Sequence, residues 1–204
     1  MIVQTLALGP AQTNCYLVGS PQAAVVIDPG WQADAILTAS RSAELTIKAI
    51  LLTHGHFDHI GAVADVKSAL QVPLIAHAQE VDLLNVRGGA DLFGFKIRSV
   101  PRPDRLVAHG EIIEIDALRF EVRHVPGHTR GHVAFIEHDQ QAAFVGDVLF
   151  AGSIGRTDLP GGNYDTLITS IHDQLLTLPD DFKVYPGHGP PTTIGEERRT
   201  NPFL

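Results

Sequence analysis

One short segment of this chain carries most of the side chains that could bind a metal ion. Four imidazole or carboxylate groups fall within six residues, at His54, His56, Asp58 and His59. Because His54 and His56 are two residues apart, they point to the same side of an extended backbone. Asp58 and His59 follow as the chain turns into a predicted helix, so they can reach a neighbouring point. The spacing predicts metal ligands and disfavours a histidine-rich surface turn.

Three more candidate ligands each follow a β-like run and are preceded by a glycine. They are His128 in the segment V-P-G-H, Asp147 in V-G-D and His188 in Y-P-G-H. Loops at strand ends are fixed by the sheet behind them, which makes them suitable places for a site. Taken singly, Asp147 is typical of a turn and His188 of an ordinary loop. Their common setting after strands favours convergence with the segment 54–59.

Short β-like runs alternate with helical patterns along the rest of the chain. Strands are predicted at 2–8, 14–18, 24–27, 47–52, 74–76, 111–115, 118–124, 133–137, 142–145 and 182–185. Helices are predicted at 32–42, 60–70, 78–85, 164–176 and 193–199. The early strands come as hairpin-like neighbours and helices fall between the later ones. This mixture favours two sheets packed face to face, with the helices outside.

The composition is that of an ordinary globular protein and narrows the choice of partners. Of the 204 residues, 44% are hydrophobic and 19% are charged. A formal net charge of −8 disfavours nucleic acid or an anionic membrane, because phosphate binding draws on lysine and arginine. The longest apolar runs are strand-sized and too short to span a bilayer. We therefore expect neither nucleic acid nor a membrane among the partners, while the oligomeric state stays open.

Cysteine usage and the N-terminus predict the compartment. Cys15 is the one cysteine, so the chain cannot form an intramolecular disulfide, which fits a reducing cytoplasm. We interpret it as a small core side chain and not as a nucleophile. The first residues lack the basic start and the long apolar stretch of a secretory signal. These features predict a cytoplasmic protein.

The ligand-type residues resemble the signature of the metallo-β-lactamase superfamily, in which H-x-H-x-D-H is followed by a distant His, Asp and His. The resemblance runs over the whole chain and includes the turn Asp28-Pro29-Gly30. It implies an α/β (α+β) fold, namely a four-layer αββα sandwich of two mixed β-sheets. We expect this fold to occupy residues 1–204 as a single domain.

The resemblance also implies how seven side chains would divide between two divalent metal ions. One ion takes His54, His56 and His128, the other takes Asp58, His59 and His188, and Asp147 bridges the two. Imidazoles and carboxylates without thiolates suit zinc in an open catalytic site, with iron or manganese as alternatives. Two such ions, ~3.5–4 Å apart, can hold a hydroxide between them and polarise the bond it attacks. This chemistry predicts a hydrolase in which Asp58 is essential for turnover.

Two segments resemble glyoxalase II and its short bacterial relatives, which hydrolyse hydroxyacyl thioesters such as S-lactoylglutathione. They are Gly155-Arg156-Thr157-Asp158 and the C-terminal stretch 193–203. Full-length glyoxalase II continues into a C-terminal helical domain, whereas this sequence ends at Leu204, which favours the short subgroup. A small-molecule thioester is thus the expected substrate. Arg156 is a candidate for holding an anionic group of that substrate, and a loop salt bridge is its alternative role.

Other functions fit the same residues. A persulfide dioxygenase of this superfamily also carries G-R-T-D and would bind one iron ion through His54, His128 and Asp147. Its last histidine usually stands in an A-H-D-Y-like stretch, whereas His188 stands in G-H-G-P, which favours the hydrolase. A non-enzymatic binding protein would need a vestigial metal site, yet no ligand is missing. A β-lactamase is disfavoured by the N-terminus, and an RNA nuclease by the negative charge.

Asp28 and the remaining histidines receive supporting roles. Asp28 starts a turn and is a candidate for a hydrogen bond near the metal loop. His132 is interpreted as a buried residue that orients a ligand. Surface or packing roles are assigned to His77, His109, His124, His138 and His172.

Overall fold

The first of two six-stranded mixed β-sheets contains the strands of the N-terminal half. The computed structural model describes all 204 residues. The strands of this sheet lie side by side in chain order: β1 (Ile2–Leu8), β2 (Thr13–Gly19), β3 (Ala24–Ile27), β4 (Ile47–Leu51), β5 (Leu74–His77) and β6 (Arg105–Val107). Strands β1 to β3 pair antiparallel, and β3 to β6 pair parallel. The carboxyl ends of β3, β4 and β5 therefore lie at one edge of the sheet.

The second sheet is built from the C-terminal half. Its strands are β7 (Ile112–Ile115), β8 (Leu118–His124), β9 (Val133–Glu137), β10 (Ala142–Gly146), β13 (Lys183–Pro186) and β14 (Thr192–Thr193), in the spatial order β14-β13-β10-β9-β8-β7. Strands β10 and β13 are parallel, and all other neighbours are antiparallel. Between β10 and β13 the chain forms a small separate hairpin of β11 (Leu149–Phe150) and β12 (Ser153–Ile154).

Five of the six short α-helices lie in connections between strands, and the sixth follows the last strand. The six are α1 (Ala33–Ser42), α2 (Phe57–Ile60), α3 (Val63–Leu70), α4 (Val81–Asn85), α5 (Tyr164–Ser170) and α6 (Ile194–Thr200). Two 3₁₀ segments, Ala78–Glu80 and Arg87–Phe93, flank α4, and a π-helical turn, Ile171–Leu175, extends α5. None of these helices combines the length and the apolar character needed to cross a membrane.

Three buried hydrophobic clusters separate four layers. Neighbouring Ile50 and Leu51 of β4 point to opposite faces of the first sheet, as alternation in a strand requires. Ile50 packs in the cluster that includes Ile36 of α1, and Leu51 packs in the cluster between the sheets, with Phe144 of β10. Leu167 of α5 belongs to the third cluster, on the outer face of the second sheet. The predicted αββα sandwich is confirmed, whereas the assignment of residues 1–204 to a single domain stays a prediction.

The prediction of one continuous helix over residues 60–70 is wrong. The chain forms α2 and α3 instead, with a break at Gly61 and Ala62. The backbone N–H of Ala62 donates to the carbonyl of Pro29 rather than along the helix, at 3.0 Å. A Cβ atom on Gly61 would lie 2.3 Å from the carbonyl oxygen of Gly30. The break thus lets the metal-ligand segment pack against the turn that follows β3.

Several short elements have no counterpart among the predicted ones. Strands β6, β11, β12 and β14 contain two or three residues each, which is too short for an alternating pattern to show. Four of the ten predicted strands are found with the same bounds. The other six, like the helix predicted at 32–42, differ by one residue at one or both ends. The helix predicted at 164–176 is present, but its last turn is π-helical.

Tyr16 of β2 links the two sheets, and removal of its hydroxyl group tests this contact. Its hydroxyl donates to the carbonyl of Pro186 at 2.6 Å, while its ring packs edge-on against Phe144 and Tyr185. Tyr16→Phe keeps the packing and removes one buried hydrogen bond, so we expect a loss of about 1 kcal/mol in the free energy of unfolding. Urea denaturation measures this loss. Tyr164→Phe, at a half-exposed ring, is the control, and equal stability of the two variants would contradict the assignment.

Candidate metal centre

The seven predicted ligands come from four loops and lie together in the structure. Each loop follows the carboxyl end of a strand: β4, β8, β10 and β13. The fold contains three groups of side chains that could hold a metal ion, and two of these groups consist only of predicted ligands. Within each group the ligand atoms lie within 4.8 Å of one another. These two groups consist of His54, His56 and His128, and of Asp58, His59 and His188. The division between two ions that the resemblance implied is therefore geometrically consistent, although ligation itself stays a prediction.

The first group contains imidazole rings that are neutral at pH 7. Nδ1 of His56 lies 2.9 Å from Nε2 of His128, and the ring of His54 lies 4.9 Å from each of the other two rings. Burial and the nearby His128 lower the pKa of His56 to about 3. Burial also lowers the pKa values of His54 and His128. A neutral ring keeps a nitrogen lone pair available, which is the state that binds metal ions.

The second group is an ion-paired cluster around Asp58. Its Oδ2 lies 3.2 Å from Nε2 of His188 and 3.7 Å from Nε2 of His59. Burial raises the pKa of Asp58, but His59 and the hydrogen bond from His188 outweigh it, so the pKa falls to about 2. Burial lowers the pKa of His188, yet Asp147 and Asp58 raise it to about 9. The carboxylates of Asp58 and Asp147 therefore make this part of the site favourable for positive charge.

Asp147 lies between the two groups. Its Oδ1 is 3.3 Å from Nε2 of His59, and its Oδ2 is 3.4 Å from Nε2 of His188 and 3.6 Å from Nε2 of His128. Close approach of the β13 loop makes this possible, because a Cβ atom on Gly187 would lie only 2.0 Å from Oδ1 of Asp147. The carboxylate thus lies within 3.6 Å of ligand-type histidines from both groups, and it would be a ligand shared between them.

Four of the five ligand-type histidines have their second ring nitrogen fixed by a hydrogen bond. The Nδ1 partners are the Thr53 hydroxyl for His54 at 3.1 Å, an Asp28 oxygen for His59 at 3.0 Å, the Arg156 carbonyl for His128 at 2.8 Å and the Ala11 carbonyl for His188 at 3.1 Å. Such partners set the tautomer and the orientation of a metal-binding imidazole. They leave Nε2 directed into the centre.

Buried polar atoms without a hydrogen-bond partner indicate whether the site suits cations. Nε2 of His54, Nε2 of His59 and Oδ1 of Asp147 are buried and have no hydrogen-bond partner. The 3.3 Å contact between His59 and Asp147 therefore lacks hydrogen-bond alignment. Buried polar atoms are rarely left unpaired, and a bound ion is one of the ways to satisfy them. The donor set fits a dinuclear centre of divalent metal ions, while the identity of the metal is not determined by it.

Asp28 and His132 support the ligands from behind. Asp28 accepts hydrogen bonds from the backbone N–H of Thr53 at 2.8 Å and from the Thr53 hydroxyl at 2.6 Å, besides the one from His59. It forms a third ligand-type group with His54 and His59, but its oxygens are already engaged. His132 stacks on His54 with ring centroids 4.6 Å apart and accepts from the Asp147 N–H at 3.1 Å. The predicted burial of His132 is confirmed, and so is the hydrogen bond of Asp28 near the metal loop, whereas the orienting role of His132 stays a prediction.

Arg156 contacts a candidate ligand through its backbone carbonyl, whereas its guanidinium is engaged by another side chain. Its carbonyl accepts the hydrogen bond from His128, whereas its guanidinium makes two contacts of 2.7 Å with the carboxylate of Asp158. The loop salt bridge considered for this residue is therefore present. Arg156 still lines the cavity beside the ligands, so a contact with substrate stays a prediction.

Glu80 is a supporting residue that the sequence pattern did not reveal. Its buried carboxylate accepts from the Gly55 N–H at 2.6 Å, from the Thr129 hydroxyl at 2.7 Å and from the Gly131 N–H at 2.7 Å. It thereby joins the loop that carries His54 and His56 to the loop that carries His128. Burial raises the pKa of Glu80, and the three hydrogen bonds oppose this rise.

The C-terminal helix α6 supports the opposite side of the site. Glu197 is buried and accepts from the Gly152 N–H at 2.9 Å and from the Asn201 amide at 2.8 Å. The Asn201 amide also donates to the carbonyl of Ser153 at 3.0 Å. These contacts fix the hairpin β11–β12, which borders the cavity. The stretch 193–203, noted for its resemblance to glyoxalase II, thus has a structural role beside the site.

The remaining histidines do not join the centre. None of the five assigned to surface or packing roles belongs to the three groups of ligand-type side chains. His77 and His124 stack on each other at 4.6 Å, and His138 contacts Glu121.

Comparison with known proteins identifies relatives over the whole length of the chain. The family model described as metallo-beta-lactamase superfamily matches residues 8–188. The hydroxyacylglutathione hydrolase GloC of Haemophilus influenzae is 42% identical and is matched over 100% of this chain and 98% of its own.

Three solved structures with the same architecture share more than 30% sequence identity with this chain. The B3 metallo-β-lactamase BLEG-1 has a TM-score of 0.95 at 42% identity, covering 100% of this chain and 99% of that one. The di-iron-bound form of TTHA1623 has a TM-score of 0.92 at 43% identity, covering 99% and 100%. ETHE1 from Myxococcus xanthus has a TM-score of 0.84 at 31% identity, covering 99% and 84%.

Replacement of Glu80 tests whether it holds two ligand loops together. Glu80→Gln puts an amide N–H₂ opposite a buried donor, so we expect the free energy of unfolding to fall by about 1–3 kcal/mol. Metal retention during dialysis should fall as well, because both loops lose their common anchor. Asp82→Asn, at an exposed position of α4, is the control. Equal urea midpoints and equal metal retention in the two variants would refute this role.

Proposed function

We propose, since this chain belongs to the metallo-β-lactamase superfamily and is an enzyme of the metallo-hydrolase kind, that it hydrolyses hydroxyacyl thioesters such as S-lactoylglutathione. The observation that carries this proposal is the convergence of seven imidazole and carboxylate side chains, five of which line the cavity. The likeness to a hydroxyacylglutathione hydrolase over the full length supports the choice of thioester.

The ligand residues prepare the site for hydrolysis at neutral pH. When bound, two divalent cations would supply a water that is nucleophilic near pH 7 and would polarise the thioester carbonyl. His54, His56 and His128 are already neutral, so their lone pairs are available. Asp58 is ionised and is held by a hydrogen bond of 3.0 Å from the Thr13 hydroxyl. We propose zinc as the metal, while the ligand set also accepts iron or manganese, and a di-iron form of a relative supports iron.

The leaving group needs little help from the protein. Hydrolysis joins the water oxygen to the carbonyl carbon and breaks the bond between that carbon and sulfur. A thiol of pKa ~8.5 leaves readily as the thiolate, so no side chain has to protonate it. The carboxyl groups that line the cavity, Asp58 and Asp147, are both candidate metal ligands. This agrees with a mechanism that needs no separate general acid.

Net charge, cavity size and the single cysteine bear on the substrate, the partners and the location of the protein. We propose a small-molecule substrate, with neither nucleic acid nor a membrane as partner, because the net charge is −8 and the cavity is of ligand size, about 460 Å³. We propose a cytoplasmic location, since Cys15 is a buried free thiol that suits a reducing compartment.

A persulfide dioxygenase is the second candidate, favoured by the likeness to ETHE1. That function would use one iron ion at His54, His128 and Asp147. The group of Asp58, His59 and His188 would then have no metal to bind, which is why we prefer the hydrolase. Metal content and oxygen consumption with glutathione persulfide distinguish the two functions.

Hydrolysis of β-lactams is a third candidate, because BLEG-1 is a B3 metallo-β-lactamase. A β-lactam and a thioester both present a carbonyl to the same nucleophile, so the ligand set alone does not separate them. A chromogenic cephalosporin assayed beside S-lactoylglutathione does. A kcat/KM for the cephalosporin above that for the thioester would replace our assignment.

Removal of Asp58 tests the role of the second group of ligands. We expect Asp58→Ala to lower turnover of S-lactoylglutathione by roughly 100-fold or more, because loss of a ligand weakens metal binding. The fold should persist, since Asp58 lies in the one-turn helix α2 and not in the hydrophobic clusters. Circular dichroism and a thioester assay give the two readings. Asp173→Ala, on the exposed side of the π-helical turn, is the control, and full activity of a folded Asp58→Ala protein would reject the assignment.

Metal content tests the dinuclear centre directly. We expect protein purified without added metal, and then loaded with zinc, to bind two ions per chain, because two separate groups of ligand atoms are present. Removal of the ions by a chelator should abolish thioester hydrolysis, and zinc should restore it. Elemental analysis gives the stoichiometry. One tightly bound iron per chain, with oxygen uptake, would favour the dioxygenase.

A further inference from the structure

We propose that the cavity beside the ligands contains a binding site for an apolar group of about phenyl size, carried by the acyl half or the thiol half of the substrate. This inference rests on the thioesterase function proposed above and narrows its substrate class. The cavity of about 460 Å³ is bordered by the ligands at one end and by five large apolar side chains elsewhere: Phe57, Phe93, Phe150, Ile154 and Leu159.

One wall of the site is a stack of aromatic rings. Phe57 belongs to the metal-ligand segment itself and stands between two other phenyl rings. Its centroid lies 5.1 Å from that of Phe93 and 5.2 Å from that of Phe95, with interplanar angles of 29° and 20°. Offset stacking is a favoured arrangement of aromatic rings. The wall is therefore attached directly to the residues that bind the metal.

The segment that carries Phe93 is held against the metal-ligand loop by a glycine. Gly88 has a φ of 62°, and a Cβ atom there would lie 2.3 Å from the backbone N of Phe57 and 2.4 Å from the carbonyl O of Gly55. Only glycine permits this approach. It brings the segment Arg87–Phe93 close enough for the ring of Phe93 to face the cavity.

The opposite wall is equally well fixed. Phe150 and Ile154 lie on the hairpin β11–β12, which Glu197 and Asn201 hold through the Gly152 N–H and the Ser153 carbonyl. The ring of Phe150 lies 6.2 Å from that of His188. An apolar group between the walls would thus lie beside the ligands, within reach of a thioester whose carbonyl is at the metal centre.

The charges of the cavity favour an uncharged group over an anionic one. Arg156 is the one cationic side chain in the lining apart from the ligand histidines, and its guanidinium is already paired with Asp158 by two contacts of 2.7 Å. A carboxylate of the substrate would have to compete with Asp158 for it. Phe93 is 43% exposed, and an apolar ligand would remove that surface from water.

Matched thioesters test this site. S-Lactoylglutathione is compared with S-mandeloylglutathione, in which a phenyl ring replaces the methyl group of the acyl half. The lactoyl thioester of methanethiol is compared with that of benzyl thiol, which adds a phenyl ring to the thiol half. We expect kcat/KM to rise roughly ten-fold for at least one of the two phenyl substrates, in line with the strength of aromatic contacts. The substrate that gains identifies the half that the site binds.

Variants of the wall link that gain to the cavity. Phe93→Ala and Leu159→Ala should each lower the ratio of kcat/KM for the preferred phenyl substrate to that for S-lactoylglutathione, by roughly ten-fold for Phe93→Ala. Leu92→Ala should leave the ratio unchanged, because Leu92 is 78% exposed and lies outside the cavity lining. The exposed position of Phe93 makes loss of the fold through its truncation unexpected, and the second variant comes from a different segment.

The outcomes separate this inference from the proposed function. If all thioesters are hydrolysed but neither phenyl substrate is preferred, or if the ratio stays at the wild-type value in both wall variants, the apolar site is refuted and the thioesterase stands. If none of the four thioesters is hydrolysed by the metal-loaded protein, both proposals are refuted.

Discussion

The structure depends on keeping seven polar and ionisable side chains close together in a largely buried pocket. Burial alone would drive such groups apart or change their protonation, because taking charge out of water is costly. Here the histidines of the first group are neutral, while His188 of the second group lies beside the carboxylates of Asp58 and Asp147. Hydrogen bonds from outside the pocket fix the rings of His59, His128 and His188 with Nε2 directed inward, where bound cations would satisfy these atoms.

The two sheets make this arrangement possible by bringing four strand ends to one place. Parallel neighbours, β3 with β4 and β10 with β13, deliver their following loops to the same edge. Asp28 and Glu80 then connect loops that the sheets leave separate, each with three hydrogen bonds. The packed clusters supply rigidity, and these few buried acceptors supply the alignment that the sheets alone would not give.

Much of this could be predicted from the sequence because metal ligands are chemically distinctive. The spacing of His54, His56, Asp58 and His59, and the recurrence of a ligand after each strand, led to the site and, with the resemblance, to the fold. Glu80 was missed because an acidic residue at the start of a helix is unremarkable, and its burial follows only from the approach of the Gly131 loop. Similarly, the pairing of Arg156 with Asp158, two residues away, depends on loop geometry that spacing does not encode.

Contacts between residues 11–14 and residues 188–189 determine when the metal site can form during folding. His188 reaches the carbonyl of Ala11 across 177 positions of sequence, and the Asn14 side chain reaches the Gly189 carbonyl across 175. Pairings of such long range close slowly, and during synthesis they must wait until residues 188 and 189 have left the ribosome. The histidines of residues 54–59 emerge long before that moment. A nascent chain therefore exposes half of a chelating pocket well before it can enclose an ion.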